Sequence, residues 1–494
     1  MKITRHCLVA VLLILALQVR ARAQAVQSPP PGNVGTGSTN EAPPPAQTGF
    51  IDLLLGAAYT DNALLTSGPR TRDGIGEAGF DIDYARKGNL NLALLGNVVR
   101  LDYLHHTFPG SFYGHFFGSA ILGKSTDPLQ WQMQEAFGEV SPNPLAAPTP
   151  QNLETINDVS TGPLLNLHFG LTNRLTLDGN YSRTNYQRSP FDSQTYGGGL
   201  EFSHALSGAA SLSFEGNDSK TRYLEGSALR IFSGESIPPY NIAQASLSYS
   251  AKFVRTIFVL RGGYNMISYE PGPSHGAPLY QLDITHRVSP FSTVFVSVGS
   301  EYSTNGASLG TSQTRIGLQS GSSLNAAYSV AEPYNQRSGT LGWTFHRART
   351  RFSLTARVTQ VLFDQSLPSN AARALGQQNY LDEGGDVMIS RQLRPTVSIE
   401  LRGSADVEHY ANLDARTHLE SVQLTLSKQF RRAAIWFYVE RLLQGGSPGV
   451  STFRAASYNE DVVGLSFTFD LFGQHAPGSP IGGAPSLMGL RGGY

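Results

Sequence analysis

Several stretches of this chain spell motifs that elsewhere do chemistry. Gly74-Ile75-Gly76-Glu77-Ala78-Gly79 has the letters of the glycine loop that cradles a dinucleotide pyrophosphate. That loop must leave a strand and open a helix, and here another strand-like stretch follows, so nucleotide binding is not expected. Gly306-Ala307-Ser308-Leu309-Gly310 and Gly445-Gly446-Ser447-Pro448-Gly449 fit the nucleophile elbow, which also needs a helix after it, and both fall between strand-like segments. With 52 glycines in the chain, such spellings arise by chance. The 12 histidines include His105-His106 and singles such as His168, His204, His346 and His418, with no spacing that gathers them beside a carboxylate. Neither a metal nor a cofactor is expected, and the chain reads as a non-enzyme.

The more informative charges sit at alternate positions of strand-like runs. Asp81, Asp83, Asp178, Glu201, Glu215, Lys252, Arg357, Glu400, Arg402, Asp406 and Glu408 each share parity with hydroxyl, amide or other charged residues, opposite an apolar parity. Leu247, Tyr249, Ala251 and Phe253 alternate with Ser246, Ser248, Ser250 and Lys252; Phe352, Leu354, Ala356 and Val358 alternate with Ser353, Thr355, Arg357 and Thr359. Successive strand side chains point to opposite faces, so each run has one oily and one wet face. Charges lining a hollow select solutes by sign, and mixed signs among hydroxyls suit a neutral, hydroxyl-rich cargo such as a saccharide. The competing reading is a network that only stiffens the wall.

The elements that position these groups are strands throughout. From about Phe50 to Phe472 the alternation recurs some twenty times with no 3.6-residue period. The expected fold is all-β: a transmembrane, antiparallel, up-and-down β-barrel with lipid outside and a hydrated lumen. Tight connections fall near Lys87-Gly88, Ser125 to Pro128, Thr172-Asn173, Ser207-Gly208, Val254-Arg255, Ser289-Pro290, Ser320-Gly321, Arg347 to Arg349, Arg394-Pro395 and Arg431-Arg432. Ten such turns imply about 22 strands, in a range of 16 to 22, an even number, with both termini periplasmic. Longer connections, expected outside the cell, include Ser141 to Glu154, Glu225 to Pro239, Glu270 to Pro278, Asp364 to Tyr380 and Gln444 to Ser457. Asp364 to Tyr380 is a candidate to fold inward and narrow the bore.

Composition agrees. Charged residues make up 15% of the chain, below the roughly 25% of soluble domains, as expected when half of each strand's surface meets lipid. No apolar run after the first twenty residues approaches the 18 or so needed for a spanning helix. Lys2 and Arg5, an apolar run from Cys7 to Leu17 and small residues at Ala21, Ala23 and Ala25 read as a Sec signal peptide over residues 1–25. The sole cysteine, Cys7, lies within it, so disulfides and thiolate chemistry are not expected of the mature chain. Residues 26–49 read as a Pro-rich periplasmic linker, 50–473 as the barrel, and 474–494 as a flexible Gly/Pro-rich tail. Net charge is zero with no basic cluster, which argues against nucleic acid as a partner.

Tyr84, Tyr103, Tyr181, Tyr186, Tyr249, Tyr264, Tyr302 and Tyr410 recur near strand ends, where an amphipathic ring suits a membrane boundary. The last strand, Asp461 to Phe472, resembles the C-terminal insertion signal of outer-membrane barrels, carried by Gly464, Phe467 and Phe469. Val462 stands where that signal commonly has a polar residue, and a tail follows it. The resemblance implies the barrel-assembly machinery and outer-membrane lipid as partners.

Asn180-Tyr181-Ser182-Arg183-Thr184-Asn185-Tyr186, then Gly197 to Phe202 and Ala210 to Phe214, resemble the β-barrel porin family found beside exopolysaccharide export loci. It is a similarity of rhythm over roughly Phe50 to Phe472, without a diagnostic motif. It implies an outer-membrane location and polysaccharide as a partner, and supplies no catalytic residue. The leading expectation is a porin-like channel passing saccharide or exopolysaccharide. The alternatives are a non-conducting structural or adhesive barrel whose loops bind a partner, and a secreted all-β sandwich or propeller. The sequence does not specify oligomeric state.

Overall fold

The computed structural model describes residues 47–143, 145–224, 238–304, 333–363, 379–411, 415–446 and 456–471. The expected signal peptide, most of the linker, the C-terminal tail and the Ser320-Gly321 turn lie outside them. So do the elbow-like Gly306 to Gly310 and most of Asp364 to Tyr380.

The strands are β1 (Gln47–Thr60), β2 (Asp73–Arg86), β3 (Leu90–Tyr103), β4 (Ser111–Leu122), β5 (Leu129–Val140), β6 (Glu154–Phe169) and β7 (Asn173–Tyr186). They continue with β8 (Ser193–Ser207), β9 (Ala210–Tyr223), β10 (Tyr240–Lys252), β11 (Thr256–Tyr269), β12 (Ser274–Ser289), β13 (Ser292–Ser303) and β14 (Tyr334–Arg347). The last six are β15 (Thr350–Phe363), β16 (Tyr380–Arg394), β17 (Val397–Tyr410), β18 (Ala415–Gln429), β19 (Ala433–Gly446) and β20 (Tyr458–Asp470). Each pairs antiparallel with its sequence neighbours, and β20 returns to β1 from Asp52↔Asp470 to Thr60↔Val462, closing the sheet. A closed sheet has no free edge, and it excludes the sandwich and the propeller.

The count is twenty, even and inside the expected range, two below the favoured 22. β13 pairs directly with β14 through Ser303↔Tyr334, so no strand stands between them. Nine short connections remain at one end, eight of them two or three residues long, while the other end carries longer ones. The first strand starts at Gln47, inside the segment expected as linker, because Gln47 to Gly49 pair with Tyr84 to Arg86. Ser274 to Pro278 belong to β12 rather than to a loop. Pro278 lies opposite Tyr264 on an outward row, where Glu270 to Pro273 already make the reversal.

Alternation writes the two faces. Leu247 is 52% exposed and its neighbour Ser246 only 4%. Pairing carries Leu247 to Phe214 and Phe202, and elsewhere Leu426 to Phe437 and Leu465, so exposed apolar side chains form a continuous outer band. Outward ion pairs such as Arg100–Asp102 and Arg441–Asp461 sit beyond this band, towards the long-connection end. β3 and β4 meet at a crease. Gly96 and Gly114 have φ of +139° and +131°, and a Cβ on either would strike the partner strand's carbonyl oxygen, so only glycine fits.

The tyrosines divide in a way that strand-end position does not foretell. Tyr181, Tyr249 and Tyr264 share the outer face, while Tyr302 packs against the buried cluster of Tyr240, Ile267 and Tyr269. Tyr103, Tyr186 and Tyr410 point inward and are buried, and Tyr84 is buried in a patch with Ile82, Leu92 and Phe116. An amphipathic ring suits any boundary between apolar and polar surroundings, and the inner wall has such a boundary where connections cover it.

Candidate functional site: the barrel interior

The inner face is identified by side chains that meet across intervening strands. The Tyr438 hydroxyl on β19 donates to Glu77 on β2 at 3.2 Å, spanning β20 and β1, and the Ser466 hydroxyl donates to the same carboxylate at 3.4 Å. Only the concave face permits this. Register then carries the assignment around the ring, and all eleven charged residues singled out from the sequence lie on this face.

Arg357 organises the densest group. Pairing aligns Thr340, Arg357, Gly384 and Asp406 in one row, and Gly384 leaves the gap through which the guanidinium reaches two strands across. Arg357 Nη1 donates to Asp386 at 2.6 Å, Nη2 donates to Asp406, and Nε lies 4.0 Å from Asp382. Glu408 accepts from the Tyr410 hydroxyl at 2.7 Å and the Thr417 hydroxyl at 2.9 Å. Glu400 and Arg402 pair with each other lower on β17. On the far side Glu201 lies directly opposite Glu215; Arg174 approaches the first at 3.4 Å and Arg261 the second at 2.5 Å. Asp81 and Asp83 on β2, Asp178 on β7 and Lys252 at the short-turn end of β10 stand apart from these groups.

Sequence reading missed a second acidic set on the same parity: Asp52, Glu77, Asp382, Asp386, Glu460 and Asp470. Asp81, Asp52 and Asp470 are consecutive partners in one row. Extending the parity of Asp81 and Asp406 one strand in each direction finds most of them. Among the described residues, inward carboxylates outnumber inward basic groups, so the interior is acidic rather than evenly mixed.

The interior is also not polar throughout. Leu54, Ile75, Val99, Leu101, Tyr103 and Val462 are buried in one inward cluster with Phe108, Tyr438 and Leu153. Connections from the long end cover this wall, which is why apolar groups there avoid water. Val462, odd for an insertion signal, is explained by this burial. Gly464 also faces inward, beneath the Tyr438 ring, whereas Phe467 and Phe469 face outward in the apolar band.

The connection between β5 and β6, residues 141–153, crosses the bore. Its Leu145 is buried with Tyr334, Val361, Phe363, Tyr380 and Tyr410 on β14 to β17, about half the ring away from its own strands. The Leu145 carbonyl accepts from the Ala456 amide at 2.7 Å, Ala147 packs beside Leu65, Leu442 and Tyr458, and Leu153 joins the cluster at β1 to β3. Asn152 holds the loop's shape: its amide donates to the Ser141 hydroxyl and the Asn143 carbonyl, each at 2.8 Å, and accepts from the Asn143 N–H at 3.1 Å. Arg188 anchors the returning end, donating to the carbonyls of Gln151 and Leu153. The segment expected to fold inward, Asp364 to Tyr380, lies mostly outside the described residues.

Among the described residues no three His, Cys, Asp or Glu side chains stand as a metal set. The Gly74 to Gly79 stretch runs within β2 and forms no phosphate loop.

No family model matches the chain, and no curated protein does. Solved structures do. The siderophore receptor PirA from Acinetobacter baumannii superposes with a TM-score of 0.45 at 11% identity, covering 86% of this chain and 81% of that one. PirA from Pseudomonas aeruginosa gives 0.41 at 10%, covering 87% and 81%. The FrpB iron transporter from Neisseria meningitidis gives 0.42 at 8%, covering 85% and 81%.

Proposed function

We propose that this chain spans an outer membrane as a channel for small hydrophilic solutes, saccharides among them, with residues 141–153 setting the bore. The supporting observation is the pairing of an apolar outer band with an acidic, hydroxyl-bearing interior that a fastened loop crosses. Leucine, valine and phenylalanine left in water on every strand would be costly, and hydrocarbon removes that cost. Twenty strands enclose a hollow wide enough for water. The signal-like residues 1–25 suit export to that membrane.

Carboxylates in excess repel anions and admit neutral solutes and cations. Hydroxyls and amides beside them offer the hydrogen-bond partners that sugar hydroxyls need. A loop tied to the opposite wall favours short saccharides over a polymer strand. The inward apolar cluster favours a second reading, a sealed structural barrel.

Planar-bilayer recording separates the two. Steady open steps, a reversal potential of cationic sign in a KCl gradient, and current reduced by added oligosaccharide support the channel. Heat-resistant, correctly folded protein that never conducts supports the sealed barrel.

A further inference from the structure

The five consecutive short turns from β10–β11 to β18–β19 each carry arginine with no acidic residue nearby. Arg255, Arg287, Arg349, Arg394, Arg431 and Arg432 stand on or beside their tips and are exposed. Neither aspartate nor glutamate occurs in residues 252–258, 284–295, 344–354, 388–398 or 427–437. None of these six guanidiniums is in an ion pair among the described residues, whereas several bases at the opposite end are paired, Lys220 with Glu270 and Arg70 with Asp61 among them. Among the other short turns, Lys124 shares its turn with Asp127, whose carboxylate accepts the Lys124 N–H at 2.8 Å, and the β2–β3 turn carries Arg86 and Lys87 without an acid but has no exposed large apolar side chain beside them.

Exposed apolar side chains interleave with the arginines: Phe253, Val254, Phe291, Leu393 and Phe430, with Val254 96% exposed. They adjoin the lower edge of the outer apolar band. Basic groups mixed with aromatic and aliphatic ones at such an edge fit a lipid headgroup layer, with the arginine forks on phosphate and the apolar groups in the acyl boundary. A soluble acidic protein would satisfy the charges and leave Phe253 and Val254 unexplained.

We infer that this basic crescent binds the phosphates of anionic phospholipids in the leaflet at the short-turn end, fixing one side of the barrel in an anionic lipid patch. The inference rests on the membrane-spanning reading above.

The test uses full-length protein in detergent with equimolar phosphatidylglycerol and phosphatidylcholine, and counts bound lipid by native mass spectrometry. Wild type should retain phosphatidylglycerol over phosphatidylcholine by about fivefold or more, falling towards parity in high salt. The quadruple variant R349Q/R394Q/R431Q/R432Q should lose the preference, the same four positions as lysine should keep most of it, and K87Q/K124Q should leave it unchanged. R431Q/R432Q alone should halve it if the quadruple variant does not fold. Equal retention of both lipids by wild type, or a preference that survives the glutamine variant, overturns the inference. So does release of phosphatidylglycerol by an oligoglutamate peptide with no bias between lipids, which would assign the crescent to a protein partner. Protein that fails to become heat-resistant in phosphatidylcholine vesicles sinks the membrane reading itself; heat-resistant protein without lipid preference sinks only the crescent.

Discussion

The Ala456 amide, on the approach to β20, donates to the Leu145 carbonyl at 2.7 Å, tying a connection that leaves β5 to the far side of the barrel. That bond and the burial of Leu145 among Tyr334, Phe363, Tyr380 and Tyr410 hold the loop across the bore. Asn152 shapes it from within, so Asn152→Ala removes its bonds to the carbonyls of Asn143, Ala146 and Ala147. The expected outcome in planar bilayers is a larger and noisier unitary conductance with an unchanged heat-resistant gel form. A conductance identical to wild type would mean the loop does not limit flow.

Among the described residues Arg357 is the guanidinium that pairs with Asp382, Asp386 and Asp406, and removing it leaves three nearby carboxylates facing each other. Breaking such a buried pair costs about 3 to 5 kcal/mol. Arg357→Gln should lower the urea midpoint of the folded barrel accordingly. Arg357→Gln with Asp406→Asn should recover part of that loss, because one unmatched charge goes with it. Tryptophan fluorescence in detergent reads both, and additive losses would contradict the coupling.

Leu247 and Ser248 are neighbours on β10 with opposite surroundings, which gives a paired measurement. Arginine on the lipid side of a barrel costs about 2 to 4 kcal/mol at mid-depth. Leu247→Arg should therefore destabilise insertion into vesicles by that order, and Ser248→Arg, directed into the acidic interior, by much less. Urea-dependent folding into lipid reports the difference. Equal costs at the two positions would remove the argument for hydrocarbon outside.

Strand periodicity made the barrel readable because each strand repeats the same two-faced constraint, and one parity error would turn a row such as Leu247, Phe214 and Phe202 inward. Nine tight turns were equally plain, since Gly88, Gly170, Gly208, Pro290 and Pro395 break strands by local chemistry. What stayed hidden depends on contacts distant in sequence. Tyr410 and Tyr249 both sit near strand ends, and only register decides that one is covered inside and the other meets the outer band. Leu145 carries no local sign of its partners on β14 to β17. Asp382 and Asp386 were legible in principle, but two glycines, Gly384 and Gly385, interrupt the alternation between them.

Gly464 separates packing from recognition in the last strand. It lies inward beneath the Tyr438 ring, and an added methyl group would collide with that ring, while Phe467 and Phe469 face out. Overpacking of this kind costs about 1 to 3 kcal/mol. Gly464→Ala should slow refolding and lower stability even in pure lipid vesicles, where no assembly machinery is present. Phe467→Ser and Phe469→Ser leave the interior untouched, so they should impair assembly in cells more than refolding in vesicles. If Gly464→Ala refolds normally in vesicles but fails in cells, the glycine is read by the machinery and the ring contact is incidental.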